Sequence, residues 1–131
     1  MGSWQLASEG VTPLGGIHGL IAFAIVAVTV AGIFWSIVLV VVGRVGGPAF
    51  ERFQAVVVSL LIVGAASGLV VLATGGRPAD GLHLLYAIVA IALIPLARSF
   101  LGRANARAAT GLLLAAFAVL GAVVYRLFTT G

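Results

Sequence analysis

The sequence predicts an all-α integral membrane protein, an up-down-up-down four-helix bundle with both termini outside. Three observations carry that expectation. The 131 residues are 63% hydrophobic and only 8% charged, with a mean hydropathy of +1.29, and no water-soluble domain of this size exposes so little charge. The apolar residues gather into four runs, each near the ~20 residues that cross a hydrocarbon core. The arginines concentrate in two of the connections between those runs, as the positive-inside rule expects of loops that stay in the cytoplasm.

The chain reads as a single four-helix transmembrane domain, 1–131, with spans at about 13–43, 49–74, 81–98 and 107–128. The first thirteen residues lack a basic n-region and carry Glu9, so they are expected to form an external lead-in with Trp4 at the headgroups rather than a cleaved signal peptide. Helix 1 opens at Thr12-Pro13, an N-cap followed by proline in the first turn, and runs without a charge from Leu14 to Val42. Gly46-Gly47-Pro48 makes the turn into helix 2, which is wholly apolar or small from Ala55 to Ala73 and closes at Thr74-Gly75-Gly76-Arg77-Pro78. Asp80 caps helix 3, whose Pro95 removes a backbone donor and is expected to bend it. Asn105 is the expected cap of helix 4.

Orientation follows from the loops. The 1–2 and 3–4 connections hold Arg44, Arg52, Arg98, Arg103 and Arg107, whereas the other side holds only Arg77 and Arg126 beside Glu9 and Asp80. That places the protein as a multi-pass resident of the inner (plasma) membrane, its termini periplasmic or extracellular. The same clustering explains an isoelectric point near 11.3 through topology, so no nucleic-acid partner is expected. The expected surroundings are the lipid bilayer and other membrane subunits. With no cysteine, disulfides and thiolate metal sites are excluded.

Within helix 1 the residues His18, Ala22, Ile25, Thr29, Gly32 and Ser36 share one face, mostly small or polar, while Phe23, Val26, Val30, Phe34 and Val41 lie elsewhere. In lipid the small, hydroxylated face turns toward other helices. Helix 3 repeats the pattern with His83, Ala87, Ala90, Ile94 and Ala97. A faint internal repeat accompanies it, Gly16-Ile17-His18 against Gly81-Leu82-His83 and Thr74-Gly75 against Thr130-Gly131, the signature of two hairpins in parallel.

The two histidines therefore start inward-facing stripes on the odd-numbered helices, on the same side of the membrane. Two imidazoles meeting across such helices hold a b-type haem by its axial positions, which makes His18 and His83 the candidate metal ligands. Gly68, in the small patch Gly64-Ala65-Ala66-Ser67-Gly68, and Gly121 on helix 4 are expected to make room for the macrocycle. Arg77 and Arg126 are the outer-rim cations available to its carboxylates. A chlorophyll-type pigment is a variant, though its magnesium needs only one histidine. The plainer reading makes each histidine a hydrogen-bonded interface residue, with Ser67 or Thr74 as partner, and the glycine patch a packing contact. Tyr86, one turn beyond His83, reads as an interface anchor or as a hydrogen-bonding group near a quinone.

Enzyme chemistry has little support, because no carboxylate lies within the apolar runs and no nucleophile triad or phosphate loop is present. No catalytic residues are assigned. The layout resembles small four-helix membrane b-type cytochromes and is similar to one half of the haem A synthase family, in which paired histidines from two helices hold a haem. The Glu-x-x-His pattern of that synthase family is missing here. The resemblance implies a haem-carrying electron-transfer protein near the outer face, with quinol as a candidate donor, or a subunit of a larger respiratory or photosynthetic complex. The rival expectation is a cofactor-free accessory or assembly subunit that packs on partner helices.

Overall fold

The computed structural model describes residues 13–77 and 80–131, with the side chains of Pro13 and Leu14 outside the description. The lead-in with Trp4 and the Thr12 cap lie outside the described residues. Four helices follow in order, α1 (Pro13–Val42), α2 (Pro48–Ala73), α3 (His83–Leu101) and α4 (Ala106–Thr130). All four are long and apolar enough to cross a membrane, which marks a multi-pass membrane protein.

The helix ends are set by local chemistry. Gly43 and Gly75 take positive φ values of 68° and 98°, the left-handed conformation that glycine adopts at low cost. Each closes a helix with the same pair of bonds: Gly43 N–H to Val40 O and Arg44 N–H to Leu39 O after α1, Gly75 N–H to Leu72 O and Gly76 N–H to Val71 O after α2. Asn105 caps α4 as expected, its side chain accepting from Ala108 N–H at 2.9 Å.

Helix 3 departs from its expected bounds at both ends. The Asp80 carboxylate accepts from Leu82 N–H at 3.0 Å, which holds Gly81 and Leu82 in a turn and delays the helix to His83. At the other end the helix runs through Arg98 to Leu101, because nothing in Ser99-Phe100-Leu101 breaks it before Gly102.

Neighbouring helices run antiparallel. His18 near the start of α1 meets Ser67 near the end of α2, His83 at the start of α3 meets Thr130 at the end of α4, and the Arg44 carbonyl after α1 meets Thr110 near the start of α4. The packing forms a closed square in which α1 and α3 sit on a diagonal without close backbone approach, and α2 and α3 make the loosest side. The inward stripes are those expected: Ile25, Thr29, Gly32 and Ser36 of α1 are buried, as are Ala90, Ile94 and Ala97 of α3.

The two ends of the bundle are filled differently. At the arginine-rich end, Phe50, Phe53 and Phe117 crowd together with Trp35, ring centroids 5.2–6.3 Å apart. Gly32 lets the Phe117 ring lie directly on α1, where a Cβ would overlap it. At the histidine end small residues leave the interior open.

Candidate functional site

That opening is a cavity of about 440 Å³ between all four helices, within the range of roughly 300–1,000 Å³ that suits cofactor-sized ligands. Both histidines line it, although the backbones of the helices that carry them stay apart across the diagonal. Beside the imidazoles the walls carry small residues, Ala22 of α1, Gly64 and Gly68 of α2 and Ala87 of α3, among bulky apolar ones such as Ile25, Leu61 and Ile91. Val124, Leu127 and Phe128 of α4, with Gly131 just beyond it, form the fourth side. Each wall follows from helical periodicity, since the same one-sided stripes that bury the core continue outward as small residues.

Each imidazole is half-buried and tied to a hydroxyl on the helix that follows its own. His18 Nδ1 lies 2.8 Å from Ser67 Oγ, and His83 Nδ1 lies 3.3 Å from Thr130 Oγ1. Thr74, the other hydroxyl expected as a possible histidine partner, instead bonds the Val70 and Val71 carbonyls within α2. His18 sits deeper in its helix than His83, and the partner on α2 is correspondingly two turns inside Thr74.

Gly68 stands against His18. A Cβ there would lie 3.2 Å from the ring's Cε1 and 3.8 Å from both nitrogens, so the imidazole packs closely on the bare backbone of α2. Arg77 lines the mouth of the cavity. Two expected site residues lie elsewhere. Gly121 packs under α1, where its Cβ position faces Ile33 Cδ1 at 3.2 Å; it is one turn too deep, and α1 rather than open space covers it. Arg126 projects from the exposed side of α4, and only its backbone carbonyl takes part, accepting from Thr130. Tyr86 is half-buried and does not line the cavity.

Other features lay beyond the sequence reading. Thr130 and Gly131 belong to the His83 corner, and the only hint was their place in the faint Thr-Gly repeat. Asp80 N–H donates to the Thr130 carbonyl at 3.1 Å, so the 2–3 connection is pinned to the same corner. At the opposite end of the α2–α3 seam, Gln54 is 2% exposed, and its Oε1 has no hydrogen-bond partner among the described residues. Its place on the face of Phe50, Val57 and Leu61 was a signal in the sequence.

Among the described residues, no third histidine, cysteine or carboxylate joins the pair in a metal-binding group. Two imidazoles alone leave a bare metal ion short of ligands, whereas a macrocycle brings its own four nitrogens. These features define a multi-pass helical membrane protein with a histidine-lined, apolar cavity at one end of its bundle. Set against known protein families, characterised proteins and solved structures, the chain finds no match.

Proposed function

We propose that this chain is a membrane b-type haem-binding protein that acts in electron transfer, with His18 and His83 as the axial ligands. The observation that carries the reading is that imidazoles from two diagonally placed helices line one cavity of about 440 Å³. Bound there, haem supplies a one-electron carrier in an apolar setting. The protein's part is to hold it: Gly64, Gly68 and Ala87 keep the space clear, and Arg77 offers its guanidinium to carboxylates at the rim.

The arginine distribution puts the histidine end on the periplasmic or extracellular side of the plasma membrane. Electrons would then pass near the outer face, from a quinol dissolved in the bilayer or within a larger respiratory or photosynthetic assembly. The chain acts as a carrier or subunit rather than as a stand-alone enzyme. A second reading has its own observation. Both imidazoles already bond a hydroxyl across a helix pair, so they serve as staples in a cofactor-free accessory or assembly subunit. The absorption spectrum of detergent-purified protein, expressed with ample haem, separates the two. A sharp reduced α-band supports the first reading, and a colourless protein supports the second.

A further inference from the structure

We infer that Ser67 and Thr130 are positioning residues that fix the tautomer of both histidines. Each hydroxyl accepts the Nδ1 proton of its imidazole and leaves Nε2 as the nitrogen free for a ligand. Its purpose rests on the haem reading, but its geometry stands on the hydrogen bonds alone.

A hydroxyl has one proton to give. Ser67 Oγ lies 2.8 Å from the Gly64 carbonyl, and Thr130 Oγ1 lies 2.8 Å from the Arg126 carbonyl. A carbonyl only accepts, so in each case the proton goes to the helix backbone and the hydroxyl oxygen is left as an acceptor for Nδ1–H. The relay is then imidazole to hydroxyl to carbonyl, two hydrogen bonds in series that polarise each other. The opposite tautomer would turn the hydroxyl proton toward Nδ1, give up the carbonyl bond, and leave an Nε2–H in an apolar cavity. Among the described residues no acceptor bonds Nε2 of either ring. The Leu127 carbonyl adds to the His83 side. A Cβ on Gly131 would meet Leu127 O at 3.0 Å and His83 Nδ1 at 3.3 Å, so a second acceptor stands near that edge of the ring.

The same device thus recurs in both hairpins: a histidine near the start of the first helix and a back-bonded hydroxyl near the end of the second. A ligating histidine needs its non-ligating nitrogen held as a donor, which orients the ring and raises its basicity. Ser59 supplies the control. It makes the same bond to its own backbone, Oγ to Ala55 O at 2.8 Å, on the same helix, but it bonds no imidazole.

The test is nitrogen NMR of isotopically labelled histidine in the full chain, purified in detergent without haem and kept above the imidazole titration range. Both rings are expected to carry the proton on Nδ1. Ser67→Ala should disturb the tautomer of His18 only, and Thr130→Val that of His83 only. Ser67→Thr and Thr130→Ser should restore them, and Ser59→Ala should change neither. An Nε2–H tautomer in the wild type, or tautomers unmoved by Ser67→Ala and Thr130→Val, would overturn the inference. Haem b titrated into the same proteins should bind Ser67→Ala and Thr130→Val about 10–100-fold more weakly than the wild type. Equal affinity would overturn the positioning role. A wild type with both Nδ1 protons in place that binds no haem would instead remove the proposed function and leave the hydrogen-bond relay standing.

Discussion

Replacing Gly68 separates the cavity from the fold, because the consequences of Gly68→Ala and Gly68→Leu differ in kind. The first added carbon would sit 3.2 Å from His18 Cε1, inside the roughly 3.5–4.0 Å that non-bonded carbons prefer. The ring must therefore retreat by a few tenths of an ångström, and its 2.8 Å approach to Ser67 can lengthen to about 3.2 Å and remain a hydrogen bond. Against that small strain, alanine gains about 1 kcal/mol over glycine in a helix interior, so Gly68→Ala should be neutral or slightly stabilising. Leucine adds a branched end that has nowhere to go except the cavity beside it. The strain that remains is the press of its first carbons on the His18 ring, about 1–3 kcal/mol and a loss the bundle survives, while the branched end fills space a ligand needs. Thermal unfolding in detergent followed by circular dichroism, run beside haem titration, reads both effects. The expected result for Gly68→Leu is a modestly lowered unfolding temperature and abolished haem binding. Val70→Leu, at a side chain 47% exposed toward lipid, should change neither. If Gly68→Leu and Val70→Leu unfold alike and bind haem alike, α2 does not present this face to the cavity.

Three further outcomes follow from particular residues. Gln54→Leu removes a buried amide oxygen that has no hydrogen-bond partner among the described residues and should raise stability by about 1 kcal/mol, read as a higher unfolding temperature; a drop as large as a core truncation would mean that the amide has a partner. Arg77→Gln should weaken haem binding no more than about fivefold, since exposed ion pairs contribute roughly 0.2–1 kcal/mol, while Arg126→Gln should leave it unchanged; the reverse order in titration would relocate the rim. A reporter active only in the periplasm should work when fused after Gly131, and activity from a cytoplasm-only reporter there would invert the orientation.

The inward faces were legible because they obey helical periodicity and because small or polar residues in an apolar span have few other places to go. The stripe from His18 to Ser36 and the stripe from His83 to Ala97 both turn to the interior. Capping chemistry was equally local, so Asn105 fell where expected. Depth and neighbour identity were not legible. Gly121 has the composition of a cavity wall, yet Ile33 of α1 reaches it, and no one-dimensional pattern records that approach. Thr130 escaped notice because helix 4 was expected to end at Phe128, whereas two more residues of α4 bring its hydroxyl to His83. That α1 and α3 lie on a diagonal, with the cavity between them rather than a close backbone approach, depends on how the four helices close into a square.

Single-histidine variants test most directly whether both imidazoles grip one macrocycle. Purified wild-type protein should give a low-spin b-type spectrum with a sharp reduced α-band. His18→Ala and His83→Ala should each lose the haem or convert it to a high-spin, five-coordinate form. A wild type that stays colourless with haem in excess, or variants whose spectra match the wild type, would contradict the assignment of His18 and His83 as the axial pair.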